Sequence, residues 1–399
     1  MKWEKKTLDE LGTVGRGRSK HRPRNDPKLF GGKYPFIQTA DVKNANFYIS
    51  NFSSTYNEEG LAQSKLWPAG TLCITIAANI ADTGILSIPA CFPDSIMGFV
   101  ANEEMADTRF IKYCFDVLQK ECKQISQGTA QDNLSWEKLS TIKFLVPPLQ
   151  TQKRIASILS AYDDLIENNK KQIKLLEEAA QRLYKEWFVD LRFPGHESVK
   201  IVDGVPEGWS GKRIKDIADT MSGGTPSRSH EEYYARGEIL WLKTKELNDG
   251  FIFDTEEKIT EAGLKNSSAK MFEKDCIILA MYGATIGKLG ISSSAMCCNQ
   301  ACCVLESKEK NFFEYLYFWL FNNREMLISR GRGSAQSNLS QELIRQIELC
   351  LPSEDVLMQF SNVAGEVLKN KEVLEKQISS LREARDRLLP KLMSGEIEV

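Results

Sequence analysis

From Pro147 to Asp190 the chain sets Ile155, Ile158, Leu159, Tyr162, Leu165, Ile166, Ile173, Leu176, Leu183 and Trp187 in a polar background. Spacings of three and four put these residues on one stripe of a helix. Pro147 and Pro148 suit its start, because the first helical turn has no N–H bond to lose and the residue before a proline is biased towards extended backbone. No Gly or Pro then interrupts the chain before Pro194. At 1.5 Å per residue an unbroken helix would be roughly 50–60 Å long, more than one small domain covers. Its stripe needs a partner, and Ser353 to Leu388 repeats the pattern.

The repetition runs through the whole chain. Trp3–Leu11 and Trp209–Ile217 are short amphipathic openings, each followed by a stretch that reads as a loop by composition, Gly12–Arg24 and Ser222–Arg228. Strand-like Phe36–Val42 and Trp241–Leu247 come next, with Thr39 and Thr244 in register at an offset of 205. Gly60-Leu61 and Gly263-Leu264 mark turns, and the β-prone runs Thr71–Ile76 and Cys276–Met281 follow. Aromatic helices are predicted over Thr108–Cys122 and Asn311–Ser329. Gly128–Ser135 and Gly333–Ser340 are nearly identical, with Ser135 and Ser340 placed to cap a helix and Glu137 and Glu342 in its first turn, where the dipole favours an anion. Pro147 then aligns with Pro352, Ile158 with Val363, Ile173 with Ile378 and Leu183 with Leu388.

The pattern predicts an α/β (α+β) fold built as a tandem direct repeat. A globular domain over residues 1–146 leads into a spacer helix over 147–190; a second globular domain over 191–351 leads into a second helix and tail over 352–399. The two helices bury their stripes most simply against each other as a coiled-coil pair. The short connection from Asp190 to Trp209 favours an antiparallel pair, with a pseudo-twofold axis relating the halves and the globular domains at opposite ends.

With 42% hydrophobic and 27% charged residues in 399, the chain has room for two or three cores. No apolar run reaches the ~18 residues of a membrane span and the N-terminus lacks a signal-peptide core, so a cytoplasmic protein without membrane contact is expected. The ten cysteines are scattered, and the cluster Cys297, Cys298, Cys302 and Cys303 lacks the spacing of a zinc site, so these read as strand core. His21, His196 and His230 sit among turn formers. A net charge of −2 excludes a globally basic protein and leaves local patches open.

Two related domains on a rigid spacer suit double-stranded DNA, whose major grooves on one face recur about every 34 Å. Because the domains differ in sequence, their half-sites should differ. Arg16, Arg18, Lys20, Arg22 and Arg24 form a basic loop suited to phosphates, read here as flexible, and Gln38, Thr39 and Gln131 are further first-half candidates. The second half offers Thr225, Ser227, Arg228, Lys243, Thr244, Lys245, Tyr282, Thr285, Lys288, Arg330, Arg332 and Gln336. Arg and Gln can make two-point contacts to guanine and adenine edges. Chemistry of its own is missing: the one Pro-Pro, Val146-Pro-Pro-Leu149, lacks the amide and ring of an adenine methyltransferase tetrapeptide, and Gly283-Ala-Thr-Ile-Gly-Lys-Leu289 lacks Walker A spacing. A coiled-coil scaffold that binds proteins and a stand-alone DNA-modifying enzyme are the competing classes.

Over its whole length the chain resembles the specificity subunits of Type I restriction–modification systems. The resemblance is carried by Pro147–Leu159 with Asp163–Ile166, Gly223-Gly-Thr-Pro-Ser227, Tyr282–Lys288, Asn299-Gln300 and Leu381–Ile397. It implies two target-recognition domains, each reading half of an asymmetric bipartite site, with the helices as spacer and as docking surface for two methylation subunits. Those subunits would carry S-adenosylmethionine and methylate adenine N6, no cofactor being bound by this chain, and restriction subunits would complete the cleaving complex. Lys153, Arg154, Lys170, Lys171, Glu177 and Glu178 on the helix face become candidates for the methylation-subunit contact. The first half departs from the pattern with Ala77–Gly84 in place of Tyr282–Lys288, and Leu351-Pro-Ser has lost the Pro-Pro-Leu form.

Overall fold

A computed structural model describes residues 3–76, 82–125, 136–332 and 338–399, so the predicted cap at Ser135 lies outside the described residues. The chain forms two compact units, residues 1–168 with 378–399 and residues 169–377, each taking in part of both long helices.

In the first unit a five-stranded sheet runs in the order Gly12–Arg16, Ile96–Ala101, Leu72–Thr75, Thr83–Leu86, Tyr48–Ile49. All neighbours are antiparallel except the last pair, which is parallel. The second unit repeats this order and these orientations with Ala218–Ser222, Cys302–Ser307, Ile277–Ala280, Leu289–Ser292 and Gly250–Ile252. A smaller sheet follows suit: Phe30–Phe36 pairs antiparallel with Ser54–Tyr56 and parallel with Ala90–Cys91, as Ile239–Leu242 does with Lys258–Ile259 and Cys297–Cys298. Leu66–Trp67 adds a fourth strand in the first unit, where the second has a single bridge, Phe272 to Met296. The repeat read at offset 205 is thus a repeat of strand order.

The apolar runs Leu72–Thr75 and Ile277–Ala280 are buried at every position, as central strands covered on both faces must be. Helix Thr108–Ile125 covers the first sheet with Phe110, Ile111, Tyr113 and Phe115 packed on Leu72, Ile74 and Phe99. Its counterpart is split into Phe312–Asn322 and Arg324–Arg332 at Asn323, whose side chain joins its own N–H on the Trp319 carbonyl (2.9 and 3.0 Å). Cys297, Cys298, Cys302 and Cys303 are buried, free and on strands; burial pushes the Cys297 and Cys303 thiols up to about 12.

Three segments differ from what their sequence suggests. Phe36–Val42 and Trp241–Leu247 are strands only to Phe36 and Leu242, then turn into Thr39–Asn44 and Thr244–Glu246. In each the carboxylate three residues on accepts the free N–H at the helix start, Asp41 from Gln38 (2.7 Å) and Glu246 from Lys243 (3.0 Å). Gly12–Arg16 is an edge strand, not a loop. Its glycines mark close approach: a Cβ on Gly12 would collide with the Val100 carbonyl and Phe99 ring.

The central helix spans Leu149–Tyr184 and winds through a wider turn at Lys185–Val189; the C-terminal helix spans Glu354–Met393. Pro148 starts the first as expected, its carbonyl accepting the Thr151 and Gln152 N–H groups at 2.9 and 3.1 Å. In the second unit Asn169 bonds Gln377 (3.0 Å) and Glu177 bonds Lys371 (2.6 Å). In the first, Asp163 meets Arg385, and Ile155 and Leu159 share a core with Leu389 and Leu392. Partner numbers fall as the helix advances, so the pairing in each unit is antiparallel. The apolar stripe is narrower than its sequence suggests, since Ile158 (38% exposed) and Leu165 (51%) face outwards. Neighbouring residues point about 100° apart on a helix, so of Ile158-Leu159 and Leu165-Ile166 only Leu159 and Ile166 reach the interior.

Candidate nucleic-acid interface

In the first unit the edge strand Gly12–Arg16 delivers the basic segment, whose backbone is pinned rather than flexible. Gly17 donates to Ile96 and Arg18 to Phe92 (both 2.9 Å), while the Gln63 side chain accepts the N–H groups of Lys20 and His21 (2.6 and 3.0 Å). The Ser64 hydroxyl donates to the Arg18 carbonyl (2.7 Å). Side chains of Arg16, Arg18 and Lys20 project from this scaffold, exposed and with no carboxylate partner among the described residues. Arg22 folds back onto the Ser19 and His21 carbonyls (2.7 and 2.8 Å), and Arg24 pairs with Asp94 (2.8 Å). The Lys28 N–H, then the His21 ring, hold the Asp26 carboxyl below its ordinary value. Gln38 is exposed with its amide 3.4 Å from Ser54, and Thr39 opens the short helix; Gln131 lies outside the described residues.

The second unit holds its cations differently. Gly223-Gly224 lies against another strand, Gly224 donating to Cys298 and accepting the Trp241 indole N–H (both 2.9 Å). Thr225, next in line, donates to Gln300 (2.5 Å), and Ser227 shares a hydrogen bond with Ser229 (2.8 Å). The Arg228 guanidinium lies over the Tyr234 ring at 4.2 Å and pairs with Glu257 (2.6 Å). Lys243 reaches the same carboxylate (2.7 Å) and Glu256 (3.8 Å), which also takes Lys245. These bonds, Lys243 first, hold the Glu257 carboxyl below its ordinary range. Thr244, half-buried, begins the turn between them.

A second cluster surrounds Asp249. Its carboxylate accepts Lys288 (3.0 Å), the Leu289 N–H (3.0 Å) and Arg324. Arg324 also donates to the Gly287 carbonyl (2.8 Å), tying down the turn Gly283–Lys288, whose glycines at φ +84° and +81° take backbone that a side chain strains. Tyr282 and Thr285 are half-buried in this turn, and burial raises the Tyr282 phenol. Arg330 is exposed on the following helix; Gln336 and the Arg332 side chain lie outside the described residues. Asp249, Glu256, Glu257 and Arg324 escaped the sequence reading. Only the turn signal Asn248-Asp249-Gly250 hinted at the first.

On the helices, Lys153, Arg154 and Lys171 are exposed and Lys170 is half-buried. Glu178 lies 3.9 Å from Lys174, while the Glu177 carboxylate turns inward to Lys371. Glu177 thus forms an ion pair with a buried lysine while its side chain stays 37% exposed.

A family model described as the Type I restriction modification DNA specificity domain matches the chain twice, over residues 1–178 and 206–361. The chain belongs to this family. Among curated relatives, the MjaIX Type I restriction enzyme specificity subunit of Methanocaldococcus jannaschii is 28% identical, covering 100% of this chain and 94% of its own length. The HindI specificity subunit of Haemophilus influenzae is 23% identical over 91% of this chain and 94% of its own. A crystal structure of a Type I restriction–modification S subunit from M. genitalium superposes with a TM-score of 0.64, covering 98% and 96% of the two chains at 18% identity, which establishes the shared fold. The two matches of the specificity-domain family coincide with the two copies of the five-stranded sheet. No described helix is long and apolar enough to cross a membrane.

Proposed function

We propose that the chain is the non-catalytic DNA-recognition subunit of a Type I restriction–modification complex, each domain reading one half of an asymmetric bipartite site. One observation carries this beyond family membership: the same sheet order recurs in both units, while the side chains on matching loops differ. Arg16, Arg18 and Lys20 stand where the second unit has Ser222, Gly224 and Pro226, Arg16 and Ser222 facing the matching residues Met97 and Cys303. A shared frame with exchanged readers is what two unlike half-sites require.

The helix pair is read as the spacer and as the docking face for two methylation subunits, which bind S-adenosylmethionine and methylate adenine N6; restriction subunits complete the cleaving assembly. Ile158 and Val363, equivalent in the repeat, are both exposed, at 38% and 49%. Repeated apolar positions on the two helices suit two copies of one partner. Lys153, Arg154 and Lys171 provide charge on the same helix. Selection from random duplexes, with the methylation subunits present, tests the reading. Enrichment of a two-part motif with a fixed gap is expected; absence of any retained duplex at low salt would sink it.

A further inference from the structure

Lys371 on the C-terminal helix is a lysine whose side chain is only 2% exposed. Burying an ammonium is costly unless every proton finds a partner. Here the partners join three elements. Glu177 of the central helix takes one proton at 2.6 Å, Glu375 lies 3.8 Å away on the same helix, and the Asp249 backbone carbonyl accepts another at 2.5 Å. Glu375 in turn accepts the Phe251 N–H (2.7 Å), and the Tyr317 hydroxyl donates to the same Asp249 carbonyl (2.8 Å). Asp249 takes φ +68°, and a Cβ on Gly250 would meet the Glu375 carboxylate, so the backbone itself is shaped to this junction. Beyond the carbonyl, the Asp249 carboxylate grips Lys288 and, through Arg324, the turn Gly283–Lys288.

A continuous line of bonds thus runs from the spacer helices, through the edge strand Gly250–Ile252, to a loop proposed to touch DNA. The first unit has no such line among the described residues. Its edge strand Tyr48–Ile49 borders an open cavity of about 320 Å³ lined by Asp41, Asn46, Tyr48 and Glu167, where an exposed hydrogen bond joins Asn46 to Glu167 (2.8 Å) and the half-buried Tyr48 side chain bonds Asp164. Its buried tie lies elsewhere: Tyr113 of the covering helix donates to Asp163 (2.6 Å), which also pairs with Arg385.

We infer that Lys371 and Asp249 are positioning residues for gap selectivity, holding the contact loop of the second domain at a fixed place on the spacer, whereas the contact loop of the first domain has no equivalent strut among the described residues. This rests on the DNA-recognition reading. A buried ammonium held between two carboxylates and a carbonyl transmits position because its alternatives leave an unpaired charge. An exposed hydrogen bond beside open space tolerates displacement.

The test uses the full chain with its methylation subunits and a duplex library in which both half-sites are fixed and the gap varies by single base pairs. Lys371→Met, and the triple variant Glu177→Gln/Lys371→Met/Glu375→Gln that leaves no buried charge unpaired, should keep the half-site bases. They should lose about tenfold in preference for the best gap over its neighbours, while Asn46→Ala keeps the wild-type gap profile. Melting curves identify the folded variants, and the triple variant is read if the single one unfolds. A folded variant with the wild-type gap profile overturns the inference. So does an equal broadening by Asn46→Ala. If wild-type protein itself selects no bipartite site, the DNA-recognition reading fails as well, which the wild-type lane shows separately.

Discussion

The two domains repeat one sheet order and differ in how they keep their positive charge. In the first, Arg16, Arg18 and Lys20 stand on a pinned backbone with no carboxylate partner among the described residues. In the second, Arg228 and Lys243 share Glu257, Lys245 sits on Glu256, and Lys288 shares Asp249 with Arg324. An unpaired cation that meets a phosphate releases counterions and yields its full salt-dependent attraction. A cation that must leave a carboxylate gains only the difference. On this footing the first domain supplies electrostatic grip, and the second supplies oriented donors whose positions are set before DNA arrives.

The largest effect should come from stripping the grip. Replacing Arg16, Arg18 and Lys20 together by Ala should lower the slope of log affinity against log salt by about 2.7, at roughly 0.9 for each phosphate no longer neutralised. Replacing Lys243, Lys245 and Lys288 together should lower it by less than half as much. Filter or anisotropy titrations of the assembled complex over a salt series read both numbers; equal slopes for the two triples would erase the contrast between the domains.

A smaller effect, of opposite sign, tests the same contrast from the acidic side. Glu257→Gln frees Arg228 and releases Lys243 from its nearer carboxylate, leaving it only Glu256 at 3.8 Å, while keeping the side chain's shape. The second domain should then behave more like the first, with the salt slope rising by roughly 1 to 2 and affinity for unrelated duplexes rising about tenfold at low salt. Arg228 stays in place on Tyr234, so half-site preference should persist. A fall in affinity would show instead that Glu257 serves chiefly to orient Arg228 and Lys243 for their contacts.

How far these differences were legible follows from the distances along the chain that they involve. That the two halves repeat one architecture could be anticipated because repetition at an offset near 205 is visible residue by residue, and so could the antiparallel helices, from matched stripes and a short connection; the strand order itself could not. The carboxylate clamps were not legible: Arg228 and Glu257 are 29 positions apart and Lys288 and Asp249 39, and nothing local pairs them. Composition misled where one residue type serves two ends. The glycines of Gly12–Arg16 read as looseness and turned out to permit strand contact, and Glu177, half-exposed on the helix, also neutralises a buried lysine that no local pattern announces.

The smallest effect expected is with pH, and it discriminates because a surface carboxylate of ordinary acidity would behave otherwise. The Glu257 carboxyl is held below its ordinary value of 4.5 by Lys243, with Arg228 adding to it against the opposing cost of desolvation. A carboxyl with a depressed native value contributes stabilisation that is present above the unfolded value and is lost only as pH falls through the native one. From pH 7 to 5 the clamp therefore stays closed, and the affinity share of the second domain should change by less than about twofold, since neither end of that window reaches the titration. The measurement is the ratio of wild-type to Glu257→Gln affinity at each pH, which cancels titrations elsewhere in the complex. A ratio that converges on one by pH 5 would mean that Glu257 has already taken up its proton, and that the second domain is an ordinary cationic surface whose charges are screened only at neutral pH.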